Sequence, residues 1–341
     1  MQDYRFKTRW GETPWRIDFS APTRTIPAEV DFAVVGGGFS GLSAAVWLRK
    51  LDPRKSVVLF ESSFLGAGSS GHTGGMVLTE TAAGDLPGLG DVLAGFSGIV
   101  NELAPDCDLS LPGVWEIGRG ASLPDSPISW QDSGNLRAMK LVPGGSINPG
   151  KLVSSLAQSA EAHGVQIFEN AAVENIEFRQ PLQIEISGHT VLAQNVLLAT
   201  NAMSLELNGL VSHAEPKFTL ALATEPITDA QREALGLGSE RPFYTVDFPY
   251  LWGRTMPGGE VIFGSGLVHL KDWRKLAEVD IATGQAAELI ARLERRVHGL
   301  HPALHDIEFT HRWGGPILIP EDWSPVFAQH PNSPRIVVLG G

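Results

Sequence analysis

Cysteine is nearly absent: Cys107 is the single one among 341 residues. A disulfide framework needs pairs and a multi-cysteine zinc or iron–sulfur site needs several thiolates, so both are excluded and no metal site is expected. A reducing, cytoplasmic setting fits this composition. Long apolar runs are missing too, and none approaches the ~20 residues needed to span a bilayer. The opening Met1-Gln2-Asp3-Tyr4-Arg5 puts charges where a signal peptide needs an apolar stretch. Positive charge is in deficit, with 26 basic against 38 acidic residues and a net charge of -12. Nucleic-acid binding rests on clustered Lys and Arg, so that partner class is not expected. There is no tail of like charge, internal repeat or low-complexity tract.

What is present is ordinary for a globular chain, 43% hydrophobic and 19% charged, with 38 Gly and 23 Pro. The length suits two interleaved domains. Residues 1–29, dotted with Pro14, Pro22 and Pro27, read as an extended surface arm. Residues 30–35 read as a buried strand, 42–51 as a helix through Ala44, Ala45 and Leu48, and 57–60 as a second strand. Asn148 and Pro149 start a further helix that Gly164 stops. Strands are expected at 165–168, 173–178, 183–187, 195–200, 218–223, 244–246, 260–263 and 335–339, and an amphipathic helix at 281–300. Residues 76–145 give no clear assignment, and 64–75 reads as a loop of small residues.

Between the first strand and helix, Gly36, Gly38 and Gly41 satisfy G-x-G-x-x-G. The first glycine permits the sharp turn, the second lets a pyrophosphate approach the backbone, and the third lets helix and strand pack closely. The helix N-terminus, at Phe39 and Ser40, offers free N–H groups to phosphate. Glu61 closes the second strand, where a carboxylate hydrogen-bonds ribose hydroxyls and repels the extra phosphate of NADP. The bland alternative is a plain tight turn with a solvent-facing Glu61. The context of strand, turn, helix, strand and acid favours a dinucleotide.

The loop at 66–75 separates FAD from NAD. It includes Ser69, Ser70, Thr73, Gly74 and Gly75 and is almost devoid of bulk, as a ribityl chain passing close to backbone amides requires. With this loop, Glu61 and the run at 31–45, the sequence resembles the D-amino-acid oxidase/glycine oxidase superfamily, in its gamma-glutamylputrescine oxidoreductase-like branch. The segments at 149–153, 173–176 (with Val173 facing the adenine), 196–202 (with Thr200) and 312–315 extend the likeness. The resemblance implies an α/β fold: a Rossmann-like FAD-binding domain of glutathione-reductase type, interleaved with a β-rich α+β substrate domain. The division expected is 30–95, 146–215 and 310–341 for FAD, and 96–145 and 216–309 for substrate. It further implies oxidation of a C–N bond of an amine or amino acid by hydride transfer to the flavin, giving an imine that water hydrolyses. No second G-x-G-x-x-G follows a strand, so electrons are expected from bound substrate. An FAD hydroxylase is disfavoured by the lack of a late Gly-Asp motif. A non-catalytic FAD-binding scaffold stays open.

Among candidate catalytic residues, His72 falls in register with a histidine that related dehydrogenases join covalently to the flavin. The blander and favoured reading is a non-covalent loop histidine. Tyr250 and Arg254 belong to an aromatic block at 244–254 that reads as a substrate wall, Arg254 being suited to grip a carboxylate. The alternative is that the aromatics are core and Arg254 a structural ion-pair partner. Trp313, with His311 nearby, is placed near the flavin or in a packed turn. Gly340 begins what the resemblance implies is a second glycine turn against the flavin ring. The chain stops at Gly341, which reads as a truncation that would leave an apolar sheet face for a partner chain to cover.

Overall fold

The computed structural model describes residues 9–341 apart from 82, 83, 86, 87, 89 and 271, so the first five residues discussed above lie outside it. The βαβ opening forms where the periodicity places it. Strand β1 (Glu29–Val35) ends in three buried residues, helix α1 (Phe39–Leu51) follows, and strand β2 (Val57–Phe60) is buried throughout. β1 and β2 pair in parallel, with Val35 opposite Phe60. A βαβ crossover buries both sheet faces, so its strands are continuous apolar runs and not alternating ones.

This first sheet has eight strands. Its main path runs Gln166–Phe168, β2, β1, His189–Leu198, Leu182–Ile186 and Val173–Glu177. His189–Leu198 forks: its beginning pairs antiparallel with Leu182–Ile186, and its end pairs in parallel with Ser333–Gly340. That last strand carries Val326–His330 as an antiparallel neighbour. On one face, Leu42, Ala45 and Val46 of α1 pack with Leu152, Val153 and Leu156 of the helix Pro149–Ala162. That helix starts and stops as its sequence dictates. The Asn148 side chain accepts from the Lys151 N–H at 3.1 Å, and Gly164 takes a φ of +82° beyond its end.

The second sheet also has eight strands, in the order Phe309–Pro320, Ala214–Thr224, Val261–Val268, Trp252–Thr255, Phe243–Thr245, Val114–Gly118, Asn135–Val142 and Trp130–Gln131. Helix Gly284–Leu300 lies against it, burying Ala286, Ile290, Leu293 and Val297. Phe218 and Leu220 of this sheet share one core cluster with Val35, Val58 and Phe60 of the first. The two sheets are therefore joined by common packing.

The structure departs from the sequence reading in several places. Residues 76–145, unassigned from sequence, supply helix Val92–Leu103 and three strands of the second sheet. The loop at 64–75 contains a helical turn, α2 (Ser69–His72). The helix expected from Ile281 begins at Gly284, because the Asp280 carboxylate takes the Ala282 N–H into a local turn at 2.9 Å. Strand Phe309–Pro320 pairs along its length with Ala214–Thr224 of the second sheet. Val100 and Leu103 of the helix Val92–Leu103 pack in one cluster with α1. Among the described residues no helix is long and apolar enough to cross a membrane.

The Asn148 cap gives a direct test. Asn148→Ala removes the acceptor for an otherwise unpaired N–H and should cost about 1 kcal/mol, read as a lower urea midpoint with unchanged slope.

Candidate functional site

The turn from β1 into α1 is closed by backbone contacts that only glycine permits. Gly36 has a φ of +111°, and a Cβ there would lie 2.5 Å from the Ala199 carbonyl oxygen. A Cβ on Gly41 would collide with the Gly36 carbonyl, so helix and strand approach closely here. Gly38 is the N-cap of α1 and provides no side-chain cap, and no acid occupies the first turn. The Phe39 N–H donates to Ser70 Oγ at 3.0 Å. The helix therefore begins with little local compensation for its partial positive charge.

Glu61 is buried, not solvent-facing, and turns back on the same turn. One carboxylate oxygen accepts from the Gly37 N–H at 2.8 Å, and the other from the Ser63 N–H at 3.0 Å and the Ser62 hydroxyl at 3.0 Å. A cavity of about 760 Å³ opens beside these residues. Of the residues expected to bind cofactor, Gly36, Gly38, Phe39, Ser40, Glu61, Ser69, Ser70, Thr73, Val173, Thr200 and Gly340 line it. Gly41, His72, Gly74 and Gly75 do not. Gly41 acts beneath the turn, and Gly75, with a φ of +75°, approaches the Ile147 carbonyl where no Cβ would fit.

Several lining residues escaped the sequence reading. Trp10 and Arg9 come from the arm, Asn201 from the end of the long first-sheet strand, and Phe327 from the last hairpin. Asn201 bridges distant parts: its side chain donates to Ser69 Oγ at 3.2 Å and accepts from the Gly341 N–H at 3.0 Å. The arm is pinned, not loose. Trp15 Nε1 donates to the Gly71 carbonyl at 2.8 Å, and the Trp10 carbonyl accepts from the Gly314 N–H at 2.8 Å. Aromatics in a Pro-punctuated lead are the one local signal for such anchoring.

The catalytic candidates separate. Trp313 is fully buried and does not line the cavity, as the packed-turn alternative has it. Its indole N–H donates to the His72 carbonyl at 2.9 Å, and its ring packs edge-on to Trp15. Tyr250 does not line the cavity either. It is exposed, lies against Phe248, and its carbonyl accepts from Arg296 at 3.2 Å. The peptide between Trp252 and Tyr250 leaves the sheet, which carries the tyrosine out of the row its neighbours occupy. His72 keeps its Nδ1 within 2.9 Å of the Gly68 carbonyl and its ring 5.3 Å from Trp10, edge to face. Burial lowers its pKa below the usual imidazole value, the Gly68 carbonyl opposing more weakly. Arg254 is buried at 5% exposure, and its Nε donates to the Gly74 carbonyl at 2.7 Å. Among the described residues it forms no ion pair. Burial depresses its pKa to about 10, with Asp108 opposing from a distance. Its neighbour Trp252 covers Gly74, whose Cβ would enter the indole ring.

Residues 31–341 match the family described as DAO, FAD dependent oxidoreductase. The chain belongs to that family. A probable oxidoreductase OrdL of Rhizobium meliloti (strain 1021) is 24% identical over 358 residues, covering 92% of this chain and 78% of that protein. The gamma-glutamylputrescine oxidoreductase of Escherichia coli (strain K12) is 22% identical over 355 residues, covering 91% and 79%. In fold the chain resembles glycine oxidase from Geobacillus kaustophilus, with a TM-score of 0.70, 19% identity, and 92% and 90% of the two chains covered. It also resembles L-proline dehydrogenase from P. horikoshii, with a TM-score of 0.72, 16% identity, and 93% and 88% covered. The protein is an FAD-dependent oxidoreductase of the α/β architecture read from its sequence.

The residues present suit FAD. An uncapped 13-residue helix start, a backbone cradle without room for Cβ atoms and a buried carboxylate at the end of β2 are what a dinucleotide demands. The cavity volume lies in the range of small-molecule sites.

Two outcomes follow. A Cβ on Gly38 would stand 2.7 Å from Ser70 Oγ and fill the cradle, so Gly38→Ala should purify folded but with flavin absorbance per protein reduced several-fold. His72 titrates lower in the folded chain than the unfolded value of about 6.5, so the unfolded state takes up the proton first as pH falls. Stability due to neutral His72 is thus full above about 6.5 and declines below it. His72→Gln should flatten part of the acid-side decline in chemical-denaturation stability.

Proposed function

We propose that this chain oxidises a C–N bond of an amine or amino acid, with the first sheet and its turns holding FAD and the second sheet facing the substrate. The observation that carries this reading is Arg254: a buried guanidinium with no ion pair, fixed to the carbonyl of Gly74 in the loop assigned to the flavin. A buried cation without a counter-ion is costly, and a carboxylate-bearing ligand relieves that cost through a paired, charge-assisted contact.

In this reading the start of α1 receives the pyrophosphate through the amides near Phe39 and Ser40. Glu61 takes the ribose hydroxyls after releasing the Gly37 or Ser63 amide. Val173 lies by the adenine, and Ser69, Ser70, Thr73 and Thr200 flank the ribityl chain. The bound flavin supplies the hydride acceptor. Arg254 orients the substrate, and Trp252 and the packed loop exclude water. Neutral His72, held by Gly68 and Trp10, keeps the loop in place without a covalent link. The relatives' names support amine and amino-acid chemistry: one is a gamma-glutamylputrescine oxidoreductase, and another, 25% identical over 64% of this chain, a 4-methylaminobutanoate oxidase from Paenarthrobacter nicotinovorans.

An anaerobic screen of amines and amino acids should bleach the flavin with at least one of them; bleaching by none, or only by NADPH, would sink the reading. Acid precipitation should leave the colour in the supernatant. Arg254→Ala should retain flavin and raise KM for acidic substrates about tenfold or more, the scale of one lost charge-assisted hydrogen bond. For the unmodified protein, affinity for a carboxylate ligand should fall above about pH 10, where Arg254 loses its charge.

A further inference from the structure

The register of the second sheet continues the row of Trp252 and Arg254 into Tyr244, Glu116 and Lys140, which have no role so far. Trp252 is paired with Tyr244, Tyr244 with Glu116, and Glu116 with Lys140. Paired residues in neighbouring strands share a sheet face. The side chains bear this out: the Tyr244 hydroxyl donates to Glu116 at 2.8 Å, and Lys140 pairs with Glu116 at 3.1 Å. Arg254, two residues beyond Trp252 on its strand, shares that face, since strand side chains alternate. Trp252 and Arg254 both meet Gly74, so the row belongs to the face turned to the 66–75 loop.

Glu116 is as unusual here as Arg254. It is 9% exposed, and both of its bonds fall on one oxygen, Oε2. Oε1 accepts no hydrogen bond among the described residues, yet it is not sealed from solvent. Its counter-ion Lys140 has a side chain 57% exposed. An ion pair with so exposed a partner is worth little, and Lys140 can turn to water at small cost. The buried carboxylate then needs another cation. Two strand spacings sideways and two residues along place Glu116 roughly 12 Å from Arg254, measured between backbones.

We propose that Glu116, steadied by the Tyr244 hydroxyl, is a cation-recognition site at the far end of the substrate wall, with Lys140 as its displaceable stand-in. The wall is then bipolar. Arg254 takes a carboxylate and Glu116 an ammonium, which selects ligands carrying both charges at the two ends of an extended chain. This rests on Arg254 being a ligand-binding residue, and its test does not depend on turnover.

Calorimetry on the purified flavoprotein, kept anaerobic, decides it with 6-aminohexanoate, its N-acetyl derivative and hexanoate as probes. 6-Aminohexanoate should bind about tenfold tighter than the two probes that lack the ammonium. Glu116→Gln, which keeps the Tyr244 hydrogen bond, should erase that difference and leave hexanoate affinity unchanged. Lys140→Ala should widen it. Equal binding of all three probes by the unmodified protein, or a difference that survives Glu116→Gln, would overturn the proposal. A uniform loss across probes in Glu116→Gln with flavin retained would show a structural role and overturn it too. Failure of every amine to bleach the flavin would count against the oxidation chemistry alone.

Discussion

A helix that begins without its own cap sets the terms for much of this molecule. At Gly38 the backbone offers N–H groups and partial positive charge to the cavity, and no acid lies in the helix's own first turn. Keeping those amides available requires bare backbone on both sides, hence Gly36 against Ala199 and Gly41 against Gly36. It also requires outside support, which Ser70 gives through the Phe39 amide and Glu61 through the Gly37 amide. Both supports are polar groups that a phosphate and a ribose can replace. The turn thus presents amides that an anion can take over.

The 66–75 loop transmits this constraint to the second sheet. Two indoles clamp it, Trp15 on the Gly71 carbonyl and Trp313 on the His72 carbonyl, and the two rings pack edge to face. Gly74 is pressed on Trp252, while its carbonyl anchors Arg254. The same ten residues therefore touch the helix start through Ser70 and the charged face of the second sheet through Gly74. The register of that sheet matters because a one-residue slip would send Arg254, Tyr244 and Glu116 to the opposite face.

Much of the first sheet was legible in the sequence because its signals are local. β1, α1, β2 and the helix after Asn148 are specified by runs, caps and stops within a few residues. The G-x-G-x-x-G turn and Glu61 could be read as a unit for the same reason. What was not legible depends on contacts between distant residues. Nothing near Trp15 indicates Gly71, 56 positions away, and nothing near Trp313 indicates that it is sealed beneath His72. The aromatic block at 244–254 was read as one wall. Strand alternation puts Tyr244, Trp252 and Arg254 on one sheet face, and the excursion at 248–250 leaves Tyr250 outside the strands. Glu116 carried no signal, since its partner Tyr244 comes from a parallel pairing with a strand far along the chain.

The forked strand His189–Leu198 has a consequence for how the chain is made. Its parallel neighbour Ser333–Gly340 follows far along the chain, so the hydrogen-bonding groups of residues 196–198 wait for it while more than a hundred residues emerge. The second sheet faces the same delay, because Ala214–Thr224 is completed by Phe309–Pro320. Non-local pairings of this kind slow folding and leave open strand edges on the nascent chain, the condition under which chaperone holding matters most. A ribosome that pauses before residue 309 would present both unfinished edges at once.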